Sequence, residues 1–218
     1  VMDLIEGESL AVRVEREGPL ETHEAARICE ALAQALVHAH SHDVLHRDVK
    51  PANVLLNAAG EPVLTDFGLA KRLEETQGLT RTGQVLGTPS YMSPEQASGE
   101  RDRIDRRCDI YSLGAVLYHS LTGRPPFEGS SAVNILAAVL DKPPRPPSRW
   151  RPDLDHDLEA ICLKCLEKKP ERRYASAQAL ADDLGSYMRR ELVSTAPLRP
   201  SPRPGKRLVE RTVLARWL

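Results

Sequence analysis

The chain has 218 residues, enough for one domain with a sizeable core, and its 41% hydrophobic and 28% charged content is that of an ordinary soluble globular protein. A formal net charge of −1 gives no reason to expect nucleic acid or another polyanion as the main partner. Four cysteines (Cys29, Cys108, Cys162, Cys165) are too few and too scattered for a secreted disulfide framework, no apolar run approaches the roughly 18 residues of a membrane span, and no signal peptide is visible, so a reducing, cytoplasmic setting is expected.

In chain order, Val1-Met2-Asp3-Leu4-Ile5 reads as the end of a strand running into a turn at Gly7. From Thr22 the pattern becomes helical: Thr22 is a plausible N-cap, Glu24 suits the first-turn dipole, and Ile28, Leu32, Ala35, Leu36 and Ala39 share a face. Val54-Leu55-Leu56 and Val63-Leu64-Thr65, separated by Asn57-Ala58-Ala59-Gly60-Glu61-Pro62, predict two short strands joined by an Asn/Gly-rich turn. Residues 69–92 show no sustained period and read as a long functional loop. Ile110 to Leu121 is apolar nearly all round, as a buried helix is, and Gly123-Arg124-Pro125-Pro126 ends it. Ala132 to Leu140 predicts a short helix stopped by the prolines of 143–147. That cluster satisfies P-x-x-P but sits where a connection between helices is expected. Leu154 to Leu166 and Ser176 to Met188 predict amphipathic helices, the second capped by Ser176 with Ala177, Leu180, Ala181, Leu184 and Met188 inward. Residues 193–218 read as a Pro-rich basic linker or tail outside a domain at 1–192.

The chemistry is concentrated in His46-Arg47-Asp48-Val49-Lys50-Pro51-Ala52-Asn53 and Asp66-Phe67-Gly68. Asp48 can take a proton from a hydroxyl nucleophile, Lys50 can hold the charge of a transferring phosphate, and Asn53 and Asp66 supply the hard oxygens that Mg²⁺ prefers. The same oxygen set suits Mn²⁺. His38, His40, His42 and His46 lack the defined tetrahedral set of a zinc site. Cys162 and Cys165 form a lone C-x-x-C within a helical pattern, which reads as core.

H-R-D-x-x-x-x-N followed by D-F-G resembles the catalytic and metal loops of the protein kinase superfamily, and the chain is most similar to its bacterial serine/threonine branch over roughly residues 1–190. The resemblance implies a mainly α kinase C-lobe (α+β), a helical bundle with a short β-hairpin carrying the two loops. It implies ATP and Mg²⁺ as cofactors and transfer of the γ-phosphate to Ser or Thr of a protein substrate. It assigns Asp48 as base, Lys50 as the γ-phosphate contact, and Asn53 and Asp66 as metal ligands. Asp3, Ile5 and Leu55 become adenine contacts beside Met2 as gatekeeper, and His46 and Phe67 lower members of an apolar spine. Asp109 ties a helix to the His46-Arg47 backbone, Thr88 contacts the catalytic Asp and Lys, and Glu95 and Arg173 form an ion pair. Thr80 and Thr82 occupy the autophosphorylation position that Arg47 would read, with an autophosphorylation dimer as the matching partner state.

The thirteen glycines contain no G-x-G-x-x-G and there is no V-A-I-K, so on the family pattern the chain is expected to begin at the hinge, with the N-terminal β-lobe absent. The expectation is a kinase active in its parent protein and inert as this truncated chain. The alternative is a non-catalytic, pseudokinase-like docking module. The basic tail is expected to be a linker or the approach to a membrane tether, which would put the chain on the cytoplasmic face.

Overall fold

A computed structural model describes residues 6–67 and 89–195. Its elements, in order, are β1 (Gly7–Ser9), α1 (Leu10–Glu17), α2 (Thr22–Ser41), β2 (Val54–Asn57), β3 (Pro62–Leu64), the single turn α3 (Pro94–Ala97), α4 (Arg107–Thr122), α5 (Ala132–Asp141), α6 (His156–Cys165) and α7 (Ala177–Met188). The architecture is mainly helical with one small antiparallel sheet, as expected.

The sheet has the order β1-β2-β3, with Glu8 opposite Leu56 and Leu55 opposite Val63. The β2–β3 hairpin forms where the sequence predicts it. Asn57 Oδ1 accepts from the Ala59 and Glu61 amides at 3.0 and 2.9 Å, which closes the turn locally. Gly7 does not turn the chain. It lies in the edge strand β1, where a Cβ would stand 2.0 Å from the Leu56 carbonyl oxygen, so only glycine allows this approach. The helix α1 is an addition to the predicted elements, capped by Ser9 Oγ on the Val12 amide at 3.3 Å.

Thr22 is the first helical residue of α2 rather than its cap. Glu21 takes the cap position without a side-chain bond to the backbone, and its carboxylate instead meets Arg151 Nη2 at 3.4 Å. The predicted stripe is buried at Ile28, Leu32, Leu36 and Ala39 and half-buried at Ala35. Ala25, Ala26, Cys29 and Ala33 widen it, which lets α2 pack against both α4 and α7.

The core is built around α4, whose residues from Cys108 to Tyr118 are all buried. Gly123 ends it in the left-handed region (φ 72°), its amide reaching the His119 carbonyl at 2.8 Å. Ser176 caps α7 as expected, accepting from the Ala179 amide at 3.2 Å. Asp155 caps α6, whose first helical residue, His156, lies two residues after the predicted start. Cys162 and Cys165 are fully buried on α6, and burial pushes the Cys165 thiol up to about 12, so both are core thiols rather than ligands or nucleophiles. Packing continues past residue 192: Val193 is buried, and Ser194 donates its amide and hydroxyl to Asp183 at 2.9 and 2.6 Å.

Candidate active site

The loop that follows α2 is held by one buried carboxylate. Asp109, in the first turn of α4, accepts from the His46 amide through Oδ2 at 3.0 Å and from the Arg47 amide through Oδ1 at 2.8 Å. His40 Nε2 adds a third bond to Oδ2 at 2.8 Å. The predicted tie between Asp109 and the His46-Arg47 backbone is therefore in place. His40, which sequence spacing alone could offer only as a metal-site candidate, is part of it.

His46 is fully buried, and its two ring nitrogens meet opposite partners. Nε2 lies 2.8 Å from the Thr65 carbonyl oxygen, and Nδ1 accepts from the Asp48 amide at 3.3 Å. Those partners define a neutral ring with its proton on Nε2. Phe67 packs against it with ring centroids 4.5 Å apart and planes tilted by 51°.

Within the turn 51–53 that opens β2, Asn53 brings the candidate side chains Asp48 and Lys50 together with its own. Its Nδ2 donates to the Asp48 carbonyl at 2.8 Å and to Asp48 Oδ2 at 2.9 Å, and Lys50 Nζ donates to the same Oδ2 at 2.7 Å. One carboxylate oxygen of Asp48 is thus fixed by two donors, while the side chain remains 40% exposed toward solvent. With both amide hydrogens engaged, Asn53 Oδ1 accepts no hydrogen bond among the described residues.

The Thr65 amide and hydroxyl both bond the Asn53 carbonyl oxygen, at 2.9 and 3.2 Å, which seats Asp66 beside Asn53. Asp66 is exposed, lies in the left-handed region (φ 64°), and has no hydrogen bond among the described residues. Two hard oxygen donors on adjacent loops next to a lysine fit a divalent cation carrying a polyphosphate. Leu55 lies on the face of β2 opposite the buried Val54 and Leu56 and is half-exposed.

Comparison with known proteins decides the family. The model of the protein kinase domain matches residues 1–184. This chain belongs to the protein kinase domain family. Its relatives include the serine/threonine-protein kinase PknB of Mycobacterium leprae, 41% identical over 84% of this chain and 29% of that protein. The serine/threonine-protein kinase PrkC of Bacillus subtilis is 41% identical over 84% of this chain and 28% of that protein. The chain therefore spans under a third of the length of these curated relatives. Among solved structures, Rad53 (residues 1–466) in complex with AMP-PNP has the same fold, with a TM-score of 0.67 at 24% identity over 83% of this chain and 44% of that one.

Further along this kinase lobe, Arg173 and Glu95 form the expected pair, both side chains buried, with Nη1–Oε1 at 2.7 Å and Nη2–Oε2 at 2.8 Å. Arg173 spends its remaining donors on the carbonyls of Glu167, Lys168 and Arg107 at 2.8, 3.0 and 2.9 Å, so all five N–H groups are satisfied. Next to Glu95, Gln96 performs a task the motif does not announce. Its Oε1 accepts from the Ser93 amide at 3.1 Å, while its Nε2 donates to the Arg47 carbonyl at 2.7 Å. The start of α3 is thereby fastened to the catalytic loop, and a Ser three residues before Gln is the capping pattern that could have flagged it. Asp3, Ile5, Met2, Gly68, Thr80, Thr82 and Thr88 lie outside the described residues.

Beside the ion pair, Lys168 donates to the Val139 carbonyl at 2.5 Å and lies 4.0 Å from the Phe127 ring centroid. Burial, with the nearby Arg173 charge, pulls its pKa down to about 8. Below pH 8 the ammonium is kept charged in the folded lobe at a cost. Between pH 8 and the unfolded value of 10.5 the unfolded chain binds the extra proton, so stability rises with pH. Urea unfolding of the wild type and of Lys168→Met at pH 7.5 and 9.5 checks this. The difference should move in favour of the wild type at the higher pH, and a constant difference would mean that solvent screens the charge.

Proposed function

We propose that a protein carrying this lobe transfers the γ-phosphoryl group of ATP to Ser or Thr hydroxyls of a protein substrate. The observation that carries the reading is the Asp48 carboxylate, held through one oxygen by Lys50 and Asn53 at 2.7 and 2.9 Å and open to solvent. The second oxygen of Asp48 orients the acceptor hydroxyl and takes its proton as the oxygen attacks phosphorus. Lys50 stays beside the charge that builds on the transferring group. Asn53 Oδ1 and the Asp66 carboxylate would hold Mg²⁺, which would supply neutralisation of charge on the nucleotide phosphates. Asp3, Ile5 and Leu55 are the proposed adenine contacts and Thr88 the proposed partner of Asp48 and Lys50; of these only Leu55 is among the described residues.

Arg47 suits the reading of a phosphorylated loop. Its backbone is fixed by Asp109 and Gln96, and its guanidinium makes no hydrogen bond among the described residues. Thr80 and Thr82 are the proposed modified residues. Phosphosite mapping of active protein that finds neither modified would remove that part.

The direct test is Asp48→Asn in the full-length protein. Loss of the base lowers kcat by about 10²–10⁴-fold, and because Asp48 is half-exposed the melting temperature stays close to that of the wild type. Transfer at the wild-type rate would sink the role of Asp48. A full-length protein that binds protein partners yet transfers no phosphate at saturating Mg–ATP would instead be a docking module.

A further inference from the structure

At the end of α4 remote from the catalytic loop, a cleft of about 220 Å³ is lined by Arg124, Glu128, Lys142, Pro143, Arg145 and Trp150, among others. From Asp109 to Thr122 the helix rises about 20 Å at 1.5 Å per residue, so the cleft is separate from the site described above. Trp150 organises it. Its indole Nε1 donates to the hydroxyl of Tyr118 at 2.9 Å, and its ring face carries the Arg124 guanidinium 4.1 Å from the centroid, with Arg145 at 5.8 Å. A guanidinium stacked on an indole keeps its charge and turns its in-plane N–H fork outward, the geometry that grips a carboxylate or phosphate in bidentate fashion.

The cations here are under-used. Among the described residues Arg124 has one carboxylate neighbour, Glu128, and only at 3.9 Å. Arg145 and Lys142 are exposed and make no ion pair among the described residues. Three cations against one acid leave an electropositive notch on a chain of net charge −1. The volume is below the roughly 300 Å³ at which small-molecule pockets begin, but it admits one or two side chains. Prolines 125, 126 and 143 stiffen the walls, so little ordering is needed to receive a ligand.

We propose that this notch docks an acidic peptide segment of a partner protein, Arg124 and Arg145 binding its carboxylates against the Trp150 face. The inference concerns binding alone and stands or falls independently of phosphoryl transfer.

The test uses the full chain and a fluorescein-labelled hexaglutamate peptide, followed by anisotropy at low and physiological salt. Binding that weakens with salt is expected. Arg124→Glu with Arg145→Glu should weaken it at least about tenfold, and Glu128→Gln should strengthen it. Arg145→Glu alone changes an exposed loop residue, keeps the fold, and should also weaken binding. Unchanged affinity in that single variant, or displacement of the peptide by inorganic phosphate at equal charge concentration, would overturn the proposal. So would tighter binding of a DNA oligonucleotide of matched charge.

Discussion

Replacing Arg173 with leucine should destabilise the lobe by about 3–5 kcal/mol, because it leaves Glu95 buried as a single charge. For a domain of this size that corresponds to a fall in Tm of about 6–20 °C. The pairing alone does not set the cost. The variant also strands the carbonyls of Glu167, Lys168 and Arg107, which Arg173 now satisfies. The double variant Glu95→Leu with Arg173→Leu separates the two contributions, since it removes the lone charge but not the stranded carbonyls. It should therefore recover part of the loss and no more. Urea unfolding of the single and double variants measures this. A loss below about 1 kcal/mol in Arg173→Leu would show that the pair is solvated rather than buried.

The second large effect is expected at Asp109. Asp109→Asn keeps the shape but turns one acceptor oxygen into a donor facing an N–H of His46, Arg47 or His40. The cost is about 3 kcal/mol, concentrated at the start of the catalytic loop. Amide exchange reads it locally: the His46 and Arg47 amides should open on the order of 100-fold more readily, while those in the middle of α7 change less. Equal protection in wild type and variant would mean that the loop is held by its other contacts, chiefly Gln96 to the Arg47 carbonyl and His46 to the Thr65 carbonyl.

The candidate catalytic residues could be picked out of the sequence because their chemistry is written within eight consecutive positions, 46–53, and a tripeptide. The stripe of α2, the all-round apolar α4 and the Ser176 cap of α7 were legible because each follows from local period or cap chemistry. What escaped is non-local or carried by backbone. β1 has no apolar pattern and exists through pairing with β2. The helix α1 was hidden by Val-Arg-Val-Glu, whose two-residue alternation resembles a strand. It is held by its Ser9 cap and by pairs such as Arg13 with Glu17 one turn on. His40 meets Asp109 across 69 residues and Gln96 meets Arg47 across 49, and no window of sequence contains both partners.

Arg47 and Asp66 both hold positive φ, 66° and 64°, without being glycine. That geometry narrows which sequences can reach this fold at all. Valine, isoleucine, threonine and proline are poorly admitted at either position, whatever their chemistry, whereas glycine, asparagine and aspartate fit the backbone. In a library selected only for expression of folded protein, positions 47 and 66 should already be depleted of β-branched residues before any demand for phosphate transfer is made. Restriction at these two sites is therefore a record of the backbone as well as of the reaction, and the two can be told apart only by comparing selections with and without activity.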